Sequence, residues 1–318
     1  MNMPFRARFC KAAFPIALAI LPLASQAAWQ RDSNSIAWLS GSNVVWQFSF
    51  DPKSGKPYFH PLSPAGGESL TNFKPEDHPW HYGLWFSWKY INGTNYWEED
   101  RKTGLAEGST RWNKPTILTR PDGRAIIRLL LTYKNSSGRL DMAERRELRI
   151  SAPTPEVGYT IDWQSQFIAG KDGAVLDRTP LLGEPNGKVN GGYAGLGARL
   201  ASAPVTMSVL CSTGPVTHFE SDRARPNGPA LACNFTRDDK PLGSIAFFSD
   251  PANAGPQPPW YVINSAQMRF ACAAILAPKP RTIPPNGRLD LRYHIVVRSE
   301  PWTVEELKQS PELKFRGP

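Results

Sequence analysis

The chain has 318 residues, 41% of them hydrophobic and 20% charged, with a formal charge of +9 and 11 Trp, 9 Tyr and 15 Phe. That content can fill a sizeable core and excludes a disordered or collagen-like chain. The 31 Pro and 25 Gly are scattered rather than repeated, which suits many short strands joined by turns and excludes long helical bundles.

At the N-terminus, Arg6, Arg8 and Lys11 precede an apolar run from Ala12 to Ala24, and Ser25-Gln26-Ala27 closes it with a small-x-small pattern. Residues 1–27 therefore read as a secretory signal peptide, which makes the mature protein periplasmic or secreted. The run contains Pro15 and Pro22 and falls short of the roughly 20 apolar residues that span a bilayer; no later segment is apolar enough to cross one. Removing the signal leaves 34 Lys and Arg against 28 Asp and Glu, or +6, without a run of five like charges, so no nucleic-acid patch is indicated. Cys10 leaves with the signal. Of the remaining Cys211, Cys233 and Cys272, a Cys211–Cys233 bridge is expected, because both lie in strand-like stretches that can be antiparallel neighbours in an oxidising compartment; three buried thiols are the alternative.

In chain order, Ser35 to Phe50 alternates around Gly41-Ser42-Asn43 and predicts a hairpin. Further strand patterns run Ala125 to Tyr133, Arg145 to Ile150, Gly158 to Phe167, Ala194 to Leu200, Val205 to Cys211, Gly243 to Ser249, Gln267 to Leu276 and Arg288 to Val297. Such spacing predicts an all-β fold, a large antiparallel sandwich forming one domain over residues 28–318. A short C-terminal helix is expected from Thr303 and Glu306, a capping box ahead of Leu307 and Leu313. The Gly/Pro-rich stretches Leu182 to Gly192 and Pro251 to Trp260 read as long connecting loops.

The chemistry concentrates in one region. Three of the five histidines, His60, His78 and His81, fall within 22 residues, and Trp80, Tyr82, Trp85, Phe86, Trp88, Tyr90, Tyr96 and Trp97 crowd the same segment. Imidazoles transfer protons near neutral pH, and aromatic faces offer flat apolar surface to the C–H faces of a sugar while neighbouring Asn92 and Glu98 bind hydroxyls. Alternation sends some of these rings to the core and leaves others to line a cleft. Glu76, Asp77, Glu98, Glu99 and Asp100 are the nearby carboxylates; spacing leaves open which of them faces the histidines. Glu144-Arg145-Arg146-Glu147 reads first as an alternating charged edge strand, although Arg145 could also receive a substrate carboxylate. His218 and His294 are isolated and read as structural. Pro79 between His78 and His81 removes the helical spacing of zinc enzymes, and no Cys/His zinc spacing, P-loop, nucleophile elbow or dinucleotide fingerprint occurs. No cofactor is expected.

The segments KPYFHPL, EDHPWHYGLWF and NGTNYW, followed by ERRELRI, TIDWQSQF, GGYAGLGARL and IAFFSDPANAGPQPPWYV, together resemble a bacterial family of unknown function that carries the automatic label methane oxygenase PmoA. The label clashes with the chain, since the membrane subunit of that name has several apolar spans and none follows residue 27. The resemblance implies an exported β-sandwich, similar in style to the galactose-mutarotase supersandwich, that works on carbohydrate. It points to His60, His78, His81, Gly83 and Trp85, with Asn92, Gly93 and Trp97; where the family commonly has Arg after the second His of the pair, this chain has Tyr82.

Residues and resemblance together predict a saccharide-processing hydrolase, lyase or epimerase. His78 and His81 are its acid/base candidates, His60 an orienter, and Trp80, Tyr82, Trp85, Asn92, Trp97, Glu98 and Arg145 its substrate contacts. A non-catalytic glycan-binding module is the rival from another class. A metal-dependent oxygenase using the three histidines is the third reading.

Overall fold

The computed structural model describes residues 27–315 together with Met1. The expected signal segment lies outside the described residues except at its two ends.

Alternation of apolar residues at period two builds two large antiparallel sheets packed face to face. One runs, edge to edge, through Ala27–Arg31, Ser35–Ser40, Asn43–Ser49, Tyr58–Leu62, Leu84–Ser87, Gly195–Arg199, Arg269–Ala273, Trp260–Asn264 and Arg223–Ala224. The other has ten strands, with Ala230–Arg237, Lys240–Ser249, Arg288–Arg298, Tyr159–Ala169, Leu140–Ile150 and Ala125–Lys134 as consecutive neighbours. A small four-stranded sheet, which includes Tyr90–Ile91 and Ala174–Asp177, closes one side. The expected all-β sandwich is present, and the expected hairpin pairs Ser35–Ser40 with Asn43–Ser49 near one edge of the nine-stranded sheet, with strand ends within a few residues of those the pattern gives.

In the nine-stranded sheet the alternation decides what faces what. Leu84 and Phe86, Leu196 and Ala198, Trp260 and Val262, and Ala271 and Ala273 point into the core between the sheets. The alternating neighbours Trp85, Tyr261, Ile263, Phe270 and Cys272 form a second apolar cluster on the opposite face. That opposite face, roofed by the loops 72–83 and 95–101, carries the site.

The terminal helix Val304–Gln309 has the predicted capping box: the Thr303 side chain accepts from the Glu306 N–H at 3.2 Å, and Glu306 accepts from the Thr303 N–H at 2.8 Å. Leu307 and Leu313 pack beside Phe248 and Trp302 on the outer face of the ten-stranded sheet.

Two expectations are corrected. Cys211 and Cys233 do lie on paired antiparallel strands, but Cys211 stands opposite Leu231 and Cys233 opposite Val209. Diagonal neighbours of this kind sit about 7–8 Å apart, too far for a disulfide, and Cys211, Cys233 and Cys272 are free, buried thiols. The Glu144–Glu147 stretch is not an edge: its strand pairs on both sides. Arg146 and Glu144 turn inward as a buried pair, and Arg145 is left exposed on the outer face, away from the histidines.

Candidate functional site

Gly83 sets up the loop that holds the histidines. With φ at +76° and its Cα so close to Phe59 that a Cβ would stand 2.3 Å from the carbonyl oxygen, only glycine turns the chain from this loop into the strand Leu84–Ser87. Backbone bonds from the N–H of His81 to the carbonyl of His78 (3.0 Å) and from the N–H of Lys74 to the carbonyl of His81 (2.8 Å) fix the two histidines one turn apart. Their rings stack, with centroids 4.7 Å apart.

His81 is buried on Phe270 (5.1 Å) and beside Trp85 (5.0 Å). Burial, reinforced by the nearby charges of His78, Arg199 and Lys56, drives its pKa well below 6.5, and its Nδ1 is enclosed with no hydrogen-bond partner among the described residues. His81 is thus a neutral imidazole near neutral pH. His78 differs: its side chain is 34% exposed, and Nδ1 meets the Asp77 carboxylate at 2.9 Å. A carboxylate there selects the Nδ1–H tautomer and leaves Nε2 as the working nitrogen. Asp77 is held in turn by Arg199, whose Nη2 donates to it at 3.0 Å and to the Gln267 carbonyl at 2.9 Å. Burial raises the Asp77 pKa, but His78 and Arg199 outweigh that and keep the carboxylate ionised.

These groups open onto a pocket of about 160 Å³. Trp80, Trp97, Tyr261 and Phe270 supply aromatic walls, while His78, His81, Glu98, Asn190, Tyr193 and Arg223 supply polar atoms. Gly197 underlies the floor, where a Cβ would press on Phe270 at 3.2 Å and on Trp97 at 3.3 Å. Glu98 accepts from the Tyr193 hydroxyl at 2.6 Å, from Asn95 Nδ2 at 2.8 Å and from the Lys89 ammonium. Burial pushes its pKa up, and Lys89 with the two other donors brings it below the usual value. Beneath this layer Lys56 donates to Glu99 at 2.6 Å and to the Trp97 carbonyl at 3.0 Å; the Tyr82 hydroxyl donates to the other Glu99 oxygen at 2.6 Å. Arg101 ties the loop from outside through the Glu76 and Asp77 carbonyls and lies over the Trp80 ring.

Of the residues singled out from sequence, His78, His81, Trp80, Trp97 and Glu98 come together in the pocket. Trp85 and Tyr82 are buried behind it as support. His60 faces the same side of the sheet but lies outside the pocket, bonding Thr71 Oγ1 at 2.9 Å and stacking on Phe73. Asn92 is a turn residue at φ +51°, bonded to Asp141 and to the backbone of Val175, and Arg145 lies on the other sheet. Among the described residues, no three His, Cys, Asp or Glu side chains are placed to hold a metal ion.

Sequence reasoning did not find Arg199, Asn190, Tyr193, Arg223, Tyr261 and Phe270. Arg199 did leave a signal: an arginine ending the otherwise apolar strand Gly195–Arg199, where a charge needs a buried partner. The others come from distant loops and strands with no local pattern to join them.

Several solved structures overlap most of the chain at low identity. An α-galactosidase from Lactobacillus brevis gives a TM-score of 0.46 at 9% identity over 86% of this chain, which spans 40% of that protein's length. The Slr1438 protein from Synechocystis sp. PCC 6803 gives 0.42 at 9%, covering 86% of this chain and 96% of that one. A galactose mutarotase related enzyme from Lactobacillus acidophilus gives 0.34 at 5%, covering 87% and 100%. Comparison with curated proteins returns no match. The model of a family of unknown function, DUF6807, matches residues 35–311, nearly the whole sandwich and every residue of the pocket, and the chain belongs to that family.

Proposed function

We propose that this protein is an enzyme acting on a saccharide by acid–base chemistry, with His78 as the group that transfers the proton. One observation carries the reading: a partly exposed imidazole, oriented by the Asp77–Arg199 pair, opens on a pocket walled by Trp80, Trp97 and Tyr261. Orientation by a carboxylate fixes the tautomer, and aromatic walls suit a sugar ring. Neutral His81 and the Tyr193–Glu98 pair would hold hydroxyls. With residues 1–27 read as an export signal, the reaction belongs in the periplasm or outside the cell.

Between the expected reaction types, the carboxylates favour epimerase or lyase chemistry over hydrolysis. Hydrolysis by paired carboxyls needs one that keeps its proton near neutrality, whereas Asp77 and Glu98 are both held ionised by cations. The oxygenase reading behind the PmoA label gains no support, because His60 is committed to Thr71 outside the pocket.

The test is product analysis by NMR on a panel of monosaccharides and plant-polysaccharide fragments, following epimers, unsaturated ends and new reducing ends. Turnover is expected to fall by about 10²–10⁴-fold in His78→Ala while the unfolding transition stays close to the parent's. Unaltered turnover in that variant would remove His78 from the chemistry; saturable binding without product would make the protein a glycan-binding module.

A further inference from the structure

The pocket's charges do not cancel. Lys89 is matched by Glu98, Lys56 by Glu99 and Arg199 by Asp77. Arg223, on the wall beside Tyr261, has no carboxylate within ion-pair distance among the described residues. Its Nε donates to the Tyr261 hydroxyl at 3.1 Å and its Nη1 to the Ser221 carbonyl, and Nη2 has no acceptor among the described residues. Arg225, which is not part of the pocket lining, lies over the same tyrosine ring at 4.9 Å and spends its hydrogen bonds on the Val189 and Gly191 carbonyls.

The backbone that presents Arg223 is strained. Glu220 and Arg223 exchange both backbone hydrogen bonds, at 2.9 and 3.0 Å, across Ser221 and Asp222, whose φ values are +48° and +65°. This is a two-residue turn in the conformation that normally selects Asn-Gly. Two non-glycine residues held at positive φ cost stability and are retained where the surroundings or a function demand them. Here the turn delivers a guanidinium, fixed through two of its three nitrogens, to the pocket wall.

We infer that the pocket takes a sugar bearing a carboxylate, a uronic acid residue, and that Arg223 receives that carboxylate. A planar guanidinium fork matches a carboxylate, and the pre-anchored side chain has little conformational freedom left to lose on binding. The inference rests on the saccharide reading and narrows it.

Isothermal titration of the mature protein with glucuronate, galacturonate, glucose, galactose and glucose 6-phosphate tests it. A uronate should bind about ten- to a hundredfold more tightly than its neutral counterpart, as one charge-assisted contact implies. Arg223→Gln should erase that preference, and Arg223→Lys, which keeps the charge but loses the fork, should restore only part of it; thermal unfolding of both variants establishes that they fold. Equal binding of uronates and neutral sugars would overturn the carboxylate inference and leave the saccharide reading standing. Tighter binding of the sugar phosphate would assign Arg223 to phosphate instead. No binding of any sugar would defeat both.

Discussion

Arg146 and Arg199 are the most deeply buried arginines among the described residues, and their networks lead in opposite directions. Arg146 sits between the sheets: Nε and Nη2 meet Glu144 at 2.7 and 2.9 Å, both side chains are 0% exposed, and the guanidinium lies 4.8 Å from the Trp163 ring. The Tyr133 and Ser165 hydroxyls also donate to Glu144, so the network closes on itself inside the core. Arg199 meets Asp77 in a similar way, but its network runs outward through His78 to the pocket. Both are arginine–carboxylate pairs on β-strands. A buried charge pair is therefore no mark of a site by itself; what matters is whether its last member can reach a ligand.

The largest expected effect falls on the closed network. Arg146→Ala leaves Glu144 buried without its cation and should cost about 3–5 kcal/mol, read as a lower midpoint in urea unfolding. Replacing the pair with apolar residues of similar volume should recover much of that loss. A single variant as stable as the parent would mean that water reaches the pair and that the two networks are alike.

Acid should also act through burial. Burial pushes the His60 pKa down to about 4, whereas an unfolded histidine titrates near 6.5. Between those values the unfolded state binds the extra proton, so stability falls as pH drops from about 6.5 to about 4, by about 3 kcal/mol. His81, shifted in the same direction, adds to the slope. Urea unfolding at pH 7 and pH 4.5 measures it, and His60→Gln should flatten it in part; a parent with the same stability at both pH values would show that neither ring is shielded from protons.

A smaller effect belongs to the open network. Asp77→Asn keeps the shape but weakens the orientation of His78, and turnover should drop about 10–100-fold with a changed pH profile and little loss of stability. An unchanged profile would reduce Asp77 to a loop tie. The smallest effect is assigned to Arg145, exposed on the outer face of the other sheet. Arg145→Ala should shift stability by no more than about 0.5 kcal/mol and leave turnover as it was, so any loss of binding there would move the site to the wrong sheet.

The sandwich was legible because period-two alternation is local: Ala125, Ile127, Leu129, Leu131 and Tyr133 point inward on a strand visible in the sequence. The capping box at Thr303 was legible for the same reason. The His78/His81 loop and the crowded aromatics were also visible, since they lie within one short segment. Register was not: a displacement of two residues between paired strands separates Cys211 from Cys233, and no sequence pattern encodes that offset.

Local pattern in the chain already marks most of the long strands, the terminal helix and the segment where proton-transferring and aromatic residues gather, because propensity and alternation act between sequence neighbours. Packing in three dimensions sets the rest: His60 stays outside the pocket, His78 and His81 both line it but His78 alone keeps solvent exposure, Arg223 joins its wall, and Arg199 anchors Asp77 behind it from more than 100 residues away. The physical reason is that burial, ion pairing and pKa depend on distances through space, which the fold sets and chain spacing does not.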